Sequence, residues 1–99
     1  MMTNWGAETV VARAPQVVSA ALGGEVAILD PKLGLYFGLN DVGARVWELA
    51  ATDVKVSAIC EAIFQEFEVE RAQCESEILG LLQELVERGL LIHQEASDA

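Results

Sequence analysis

Glu25-Val26-Ala27-Ile28-Leu29-Asp30-Pro31-Lys32-Leu33-Gly34-Leu35-Tyr36-Phe37-Gly38-Leu39-Asn40-Asp41 is the stretch that decides the fold. Glu25 to Leu29 and Leu35 to Leu39 are apolar-rich and of strand length, and between them lies Asp30-Pro31-Lys32-Leu33-Gly34. Pro31 fixes one backbone dihedral and Gly34 is free to take a positive φ, so this segment reads as a hairpin connection. Asn40 or Asp41 then supplies an N-cap oxygen where strand periodicity gives way to helical periodicity.

Upstream, Thr9-Val10-Val11-Ala12 and Gln16-Val17-Val18-Ser19-Ala20 are β-rich pieces interrupted by Pro15, as suits an edge or irregular strand. Leu22-Gly23-Gly24-Glu25 is a turn signal. Three short antiparallel strands are predicted. Downstream, Val42, Val46 and Leu49 mark a helix from about Asp41 to Ala50. Val56, Ile59, Cys60, Ile63, Phe64 and Phe67 hold one face of a second. A third runs from about Ala72 to Arg88, with Ile78, Leu81, Leu82 and Leu85 on one stripe and Ala72, Leu79 and Val86 on a neighbouring one. That double stripe fits either a helix buried on all sides or one that turns part of its surface to a groove. Gly89 ends the helix as its C′ residue, and Leu90-Leu91-Ile92 follows as a short extended tail packed on the core. The fold class is α+β: a three-stranded antiparallel sheet followed by three helices, similar to a winged helix-turn-helix set.

Ninety-nine residues, 53% of them hydrophobic, make one domain with a real core. The net charge is −10, and ten of the sixteen acids lie between Glu61 and Asp98. The helix that would serve as a recognition helix carries Glu75, Glu77, Glu84 and Glu87, so nucleic acid is not the expected partner. The acids read as a solvated surface or as a match for a basic stretch of a partner. No apolar run is long enough for a membrane helix, and Met1 to Glu8 lacks the layout of a secretory signal, so a cytoplasmic protein is expected. Cys60 and Cys74 fall on apolar helical positions and read as buried, reduced thiols. His93 stands apart from them, and no metal-ligand spacing, nucleotide-binding glycine pattern or nucleophile motif occurs. Neither an enzyme nor a cofactor or metal site is expected.

Ile28-Leu29-Asp30, Gly34, Tyr36, Leu39-Asn40, Gly43-Ala44-Arg45 and Trp47-Glu48-Leu49 form an ordered set that resembles the PqqD-like family. Val56, Ile59, Glu77-Ile78, Leu81-Leu82, Leu85 and Gly89-Leu90-Leu91 continue the resemblance, which spans about residues 9–93. Members of that family bind the leader segments of ribosomally made, modified peptides. Those of the pyrroloquinoline quinone branch tend to carry a Pro-Glu turn after the second strand and an Asp-Gly after the first helix. Here those places read Asp30-Pro31-Lys32 and Ala50-Ala51. The series is more similar to the free-standing proteins of lasso-peptide clusters, which hand the precursor to a cysteine leader peptidase and work beside a cyclase. A peptide chaperone of a radical SAM enzyme is the alternative.

The resemblance implies a leader-binding cleft between the third strand and the third helix. Its expected residues are Leu35, Tyr36, Phe37, Gly38 and Leu39 from the strand and Cys74, Glu77, Ile78 and Leu81 from the helix. Alternate strand residues point to opposite faces, so some of them contribute backbone only. Core packing stands as the plain alternative for each side chain, and Gly38 could equally be a small residue under Trp47. Ordering about six leader residues costs roughly 6–12 kcal/mol. About five backbone hydrogen bonds return roughly 0.5–1.5 kcal/mol each. Two or three buried anchors at roughly 1.5–3 kcal/mol apiece are therefore required. An exposed strand edge also allows a weak homodimer beside the monomer.

Overall fold

The computed structural model describes residues 6–94; most of the amino-terminal stretch read for a secretory signal lies outside them. The elements run β1 (Val10–Arg13), β2 (Val18–Leu22), β3 (Glu25–Asp30), β4 (Leu35–Leu39), α1 (Asp41–Leu49), β5 (Val54–Lys55), α2 (Val56–Glu66), α3 (Arg71–Glu87) and β6 (Leu91–Gln94). Two antiparallel sheets form, with strand orders β2-β3-β4 and β5-β1-β6. The first is the expected three-stranded sheet, and three helices follow it.

The second sheet departs from the sequence reading in three places, the first being β5, a two-residue strand that the sequence does not announce and that pairs with β1. The two β-rich pieces around Pro15 are separate strands in different sheets. Pro15 has no N–H to continue a ladder. The chain turns there instead, with Val17 N–H donating to the Ala14 carbonyl at 3.4 Å. The tail after Gly89 is also more than a packed coil. It pairs with β1 in the register Val11↔His93 and Arg13↔Leu91.

Local chemistry explains the boundaries. Gly23 (φ +59°) and Gly24 (φ +91°) make a two-residue loop that needs positive φ twice, and it closes on Leu22↔Glu25. Asp30 Oδ1 accepts from Lys32 N–H at 3.0 Å and from Leu33 N–H at 3.4 Å, while Gly34 takes φ +69°. Asn40 is the N-cap of α1, its Oδ1 accepting from Gly43 N–H at 3.0 Å. Helix α3 ends in a Schellman motif: Leu90 N–H reaches the Leu85 carbonyl at 2.9 Å and Gly89 N–H the Val86 carbonyl at 3.0 Å.

One core joins the layers. Val26, Ile28 and Leu39 of the β2-β3-β4 sheet pack with Val46, Trp47, Ile59, Ile63, Ile78, Leu82 and Leu85 of the helices, and Val11 and Leu91 bring in the second sheet. Trp47 ties three elements together. Its indole N–H donates to Ser19 Oγ at 2.9 Å, and its carbonyl accepts from Arg13 Nε and Nη2 at 3.0 and 2.8 Å. No helix among the described residues is long and apolar enough to cross a membrane.

Candidate functional site

The geometry of β4 follows from the glycine loop two strands away. A two-residue loop closes on a pair that exchanges both backbone hydrogen bonds, and such pairs alternate along an antiparallel ladder. With Leu22↔Glu25 as the closing pair, Glu25, Ala27 and Leu29 direct their main chain toward β2. Val26, Ile28 and Asp30 therefore bond their partners on β4, namely Leu39, Phe37 and Leu35. What remains on the outer side of β4 is the main chain of Tyr36 and Gly38. Strand β4 is an edge of its sheet, so these groups face away from it.

Side chains divide the same way. Leu39 is buried and Phe37 half-buried on the helical side, while Tyr36 is 70% exposed on the opposite face. Beside the free edge lies an open groove of about 450 Å³ between β4 and α3. Phe37, Gly38 and Leu39 form one wall and Cys74, Glu77, Ile78 and Leu81 the other. Asn40, Val42 and Gly43 close one end at the start of α1, and Ile63 and Val69 also line the groove. Gly43 packs closely there: a Cβ would stand 3.1 Å from both Cβ and Cδ2 of Leu39, so a larger residue needs Leu39 to shift.

Seven of the nine residues expected at the site thus meet around one groove. Leu35 and Tyr36 do not line it. Leu35 lies at the exposed hairpin end of the strand, and the Tyr36 side chain points to the other sheet face by strand alternation. Gly38 is not packed beneath Trp47 either, since a Cβ built on it meets nothing within 4 Å. Sequence reasoning missed Asn40, Val42, Gly43, Ile63 and Val69. Asn40 is one of the two cap candidates in the sequence and Ile63 a core position, and both do that work as well. Only Val69, an exposed apolar residue in the α2–α3 connection, offered an unused signal.

The apolar part of the helix wall comes from the stripe that holds Ile78 and Leu81, not from the line of Ala72, Leu79 and Val86. Ile78, Leu82 and Leu85 are core, and half-buried Leu81 at the margin of that same stripe faces the groove. Of the second line, Ala72 is exposed and Leu79 borders a separate hollow beside Cys60 and Arg71. Both thiols are free and buried. Burial pushes Cys60 up to about 11 and raises Cys74 as well, so neither is a ready nucleophile. The rim carries opposite charges. Exposed Glu77 accepts from Gln73 Nε2 at 3.0 Å, and the Arg88 guanidinium, paired with Glu84, lies 5.1 Å from the centre of the Phe37 ring. Among the described residues no group of three or more His, Cys, Asp or Glu is placed to hold a metal ion.

The family model for coenzyme PQQ synthesis protein D (PqqD) matches residues 25–91, from the start of β3 to the start of β6. Two solved structures are similar over most of their length. One is described as TbiB1 in complex with the TbiA(beta) leader peptide, with 33% identity, a TM-score of 0.76, and coverage of 88% of this chain and 99% of that one. The other is lasso peptide synthetase B1 complexed with the leader peptide, with 26% identity, a TM-score of 0.74, and coverage of 83% and 96%. The comparison with curated proteins finds no match.

Proposed function

This chain belongs to the PqqD family, and on that premise we propose that it is a non-catalytic recognition protein for the leader segment of a ribosomally made precursor peptide. The leader adds as a strand to the outer edge of β4 and is presented to a separate leader peptidase, with a cyclase acting in the same pathway. The cytoplasm, where thiols such as Cys60 and Cys74 stay reduced, is the compartment proposed. One observation carries the reading: the main chain of Tyr36 and Gly38 is directed outward beside an apolar groove. Two similar proteins are solved as complexes with leader peptides, which supports the same assignment.

Labour divides between main chain and side chains. Strand addition satisfies backbone groups with little regard to sequence. Selection then falls to the leader residues whose side chains enter the groove between Phe37, Leu39, Ile78 and Leu81. Glu77 on α3 and Arg88 at its C-cap stand eleven residues apart, about 16 Å along the helix axis, which favours a leader with a basic group toward one end and an acidic one toward the other. Exposed pairs of that kind are worth only about 0–1 kcal/mol each, so they orient the strand more than they hold it.

The test is a fluorescently labelled leader peptide from a precursor encoded beside this chain. Saturable binding is expected, with amide protection rising at Tyr36 and Gly38. Absence of binding, or protection confined to α2 and α3, refutes strand addition at β4. The family description favours a second reading, a peptide chaperone for a radical SAM enzyme of quinone-cofactor synthesis. Co-purification with such an enzyme, rather than with a peptidase, would select it.

A further inference from the structure

The opposite edge of the same sheet carries a second surface. Strand β2 pairs only with β3, and all five of its residues, Val18-Ser19-Ala20-Ala21-Leu22, are exposed. Edge strands in monomers are ordinarily blunted by a charge, a proline or a bulge. This strand has none of these, in a chain whose net charge is −10. Val18 (54% exposed) and Leu22 (62%) stand with Ala20 on the sheet face that also carries Leu29 and Tyr36.

We propose that β2 is a self-pairing edge through which two copies of this chain join their sheets, antiparallel, about a two-fold axis at Ala20. The register follows from the ladder. Val18, Ala20 and Leu22 spend their main chain on β3, so Ser19 and Ala21 direct N–H and C=O outward. Antiparallel pairing about Ala20 sets Ser19 opposite Ala21 of the second copy, and Ala21 opposite its Ser19. Both are doubly hydrogen-bonded pairs. On the apolar face, Val18 then meets Leu22 of the second copy and Ala20 meets Ala20. The contact is therefore self-complementary, as a two-fold interface requires.

Charge favours this edge over β4. Helix α3, with Glu75, Glu77, Glu84 and Glu87, flanks the groove beside β4, so pairing there would bring two acidic helices together. Pairing through β2 keeps them at the outer ends of the joined sheet and leaves both β4 edges open. A five-residue strand pair is small beside the about 1,200 Å² of a stable interface, so a dissociation constant on the order of 100 μM is expected. It should tighten with salt, because screening relieves the repulsion between two acidic chains.

Sedimentation velocity from about 10 μM to about 1 mM tests this. The wild-type chain is expected to shift from one copy toward two across that range. Ala21→Pro removes an N–H that bonds nothing within its own sheet, and Ala20→Lys sets two cations face to face. Either should hold the chain monomeric while circular dichroism stays that of the wild type. Gly38→Pro removes the equivalent outward N–H on β4 and should leave the dimer intact. The proposal is overturned by a wild type that stays monomeric throughout, by a dimer that survives both folded β2 variants, or by one that Gly38→Pro abolishes. Leader binding is read separately with the labelled peptide, so a failure of the β2 dimer leaves that reading to stand or fall by its own test.

Discussion

Leu81→Ala separates groove from core. Leu81 is half-buried on the groove wall of α3, one turn from Ile78, which is 3% exposed within the core. Fully burying a leucine is worth about 1.5–3 kcal/mol, and roughly half of that remains to be gained when a leader strand covers Leu81. Adding the contact its partner side chain loses, the truncation should cost about 1–2 kcal/mol of binding, a roughly 5- to 30-fold rise in Kd. The folding cost is the other half, about 1 kcal/mol. Ile78→Ala leaves a buried cavity and should cost about 2–5 kcal/mol of stability. Urea unfolding followed by circular dichroism reads the second quantity, where 1 kcal/mol moves the midpoint by about 1 M at this chain length. Fluorescence polarisation with the labelled leader reads the first. If Leu81→Ala binds within twofold of wild type, or unfolds as readily as Ile78→Ala, Leu81 is a core residue and the groove is not the selecting surface.

Asn40→Ala removes the cap oxygen from Gly43 N–H and should cost about 1 kcal/mol of stability; an unchanged urea midpoint would mean that water replaces the cap. Gly43→Ala should fail to stabilise α1 despite a helix-propensity gain of about 1 kcal/mol, because the new methyl meets Leu39 Cβ at 3.1 Å; a clear rise in the midpoint would contradict that close approach. Hydrogen bonding from Arg45 holds the Glu66 carboxyl below its usual range. That contribution is complete above the unfolded value of about 4.3 and is lost as pH falls through the lower folded value. Thermal midpoints of wild type and Glu66→Gln should therefore differ slightly at neutral pH and converge in acid, and divergence in acid would reverse the sign. Cys60, pushed up to about 11 by burial, should react with iodoacetamide at pH 8 far more slowly in buffer than in urea; equal rates would show the thiol to be open.

What the sequence disclosed, and what it withheld, depends on how far each signal reaches. The Asp30 to Gly34 connection, the Asn40 cap and the Gly89 stop are written in residues that act on their immediate neighbours, and all three form as predicted. The β1–β6 pairing joins residues about eighty positions apart in a short strand and a tail, and no local pattern announces it. Pro15 marked an interruption, but nothing nearby says whether a chain that turns there rejoins the same sheet or starts another. The helix stripe misled for a related reason. Periodicity puts Leu81 on the main stripe and Leu79 on the neighbouring line, yet it cannot say which of them faces β4 and which faces α2. Groove-lining residues drawn from a contiguous strand and one helix were legible as a set. Those from the α1 start and the α2–α3 connection reach the groove only through tertiary packing.

The arrangement of β4 follows from parity. The Gly23-Gly24 loop fixes Leu22 opposite Glu25, and that single pairing propagates through β3 to decide what each β4 residue offers. Phe37 and Leu39 have main chains satisfied by β3 and side chains turned to the groove, so under the proposed strand addition their part would be shape. Tyr36 and Gly38 have side chains turned away or absent and main chains turned out, so under the same proposal the hydrogen bonds to the leader would be theirs. An incoming strand meets no Cβ at Gly38 and a fixed apolar wall at Phe37 and Leu39. A slip of one residue in this register would exchange the two roles, placing Tyr36 in the groove. Under the strand addition proposed above, separating backbone capture from side-chain selection in this way would let one edge accept many leader sequences while still requiring apolar residues at alternate positions.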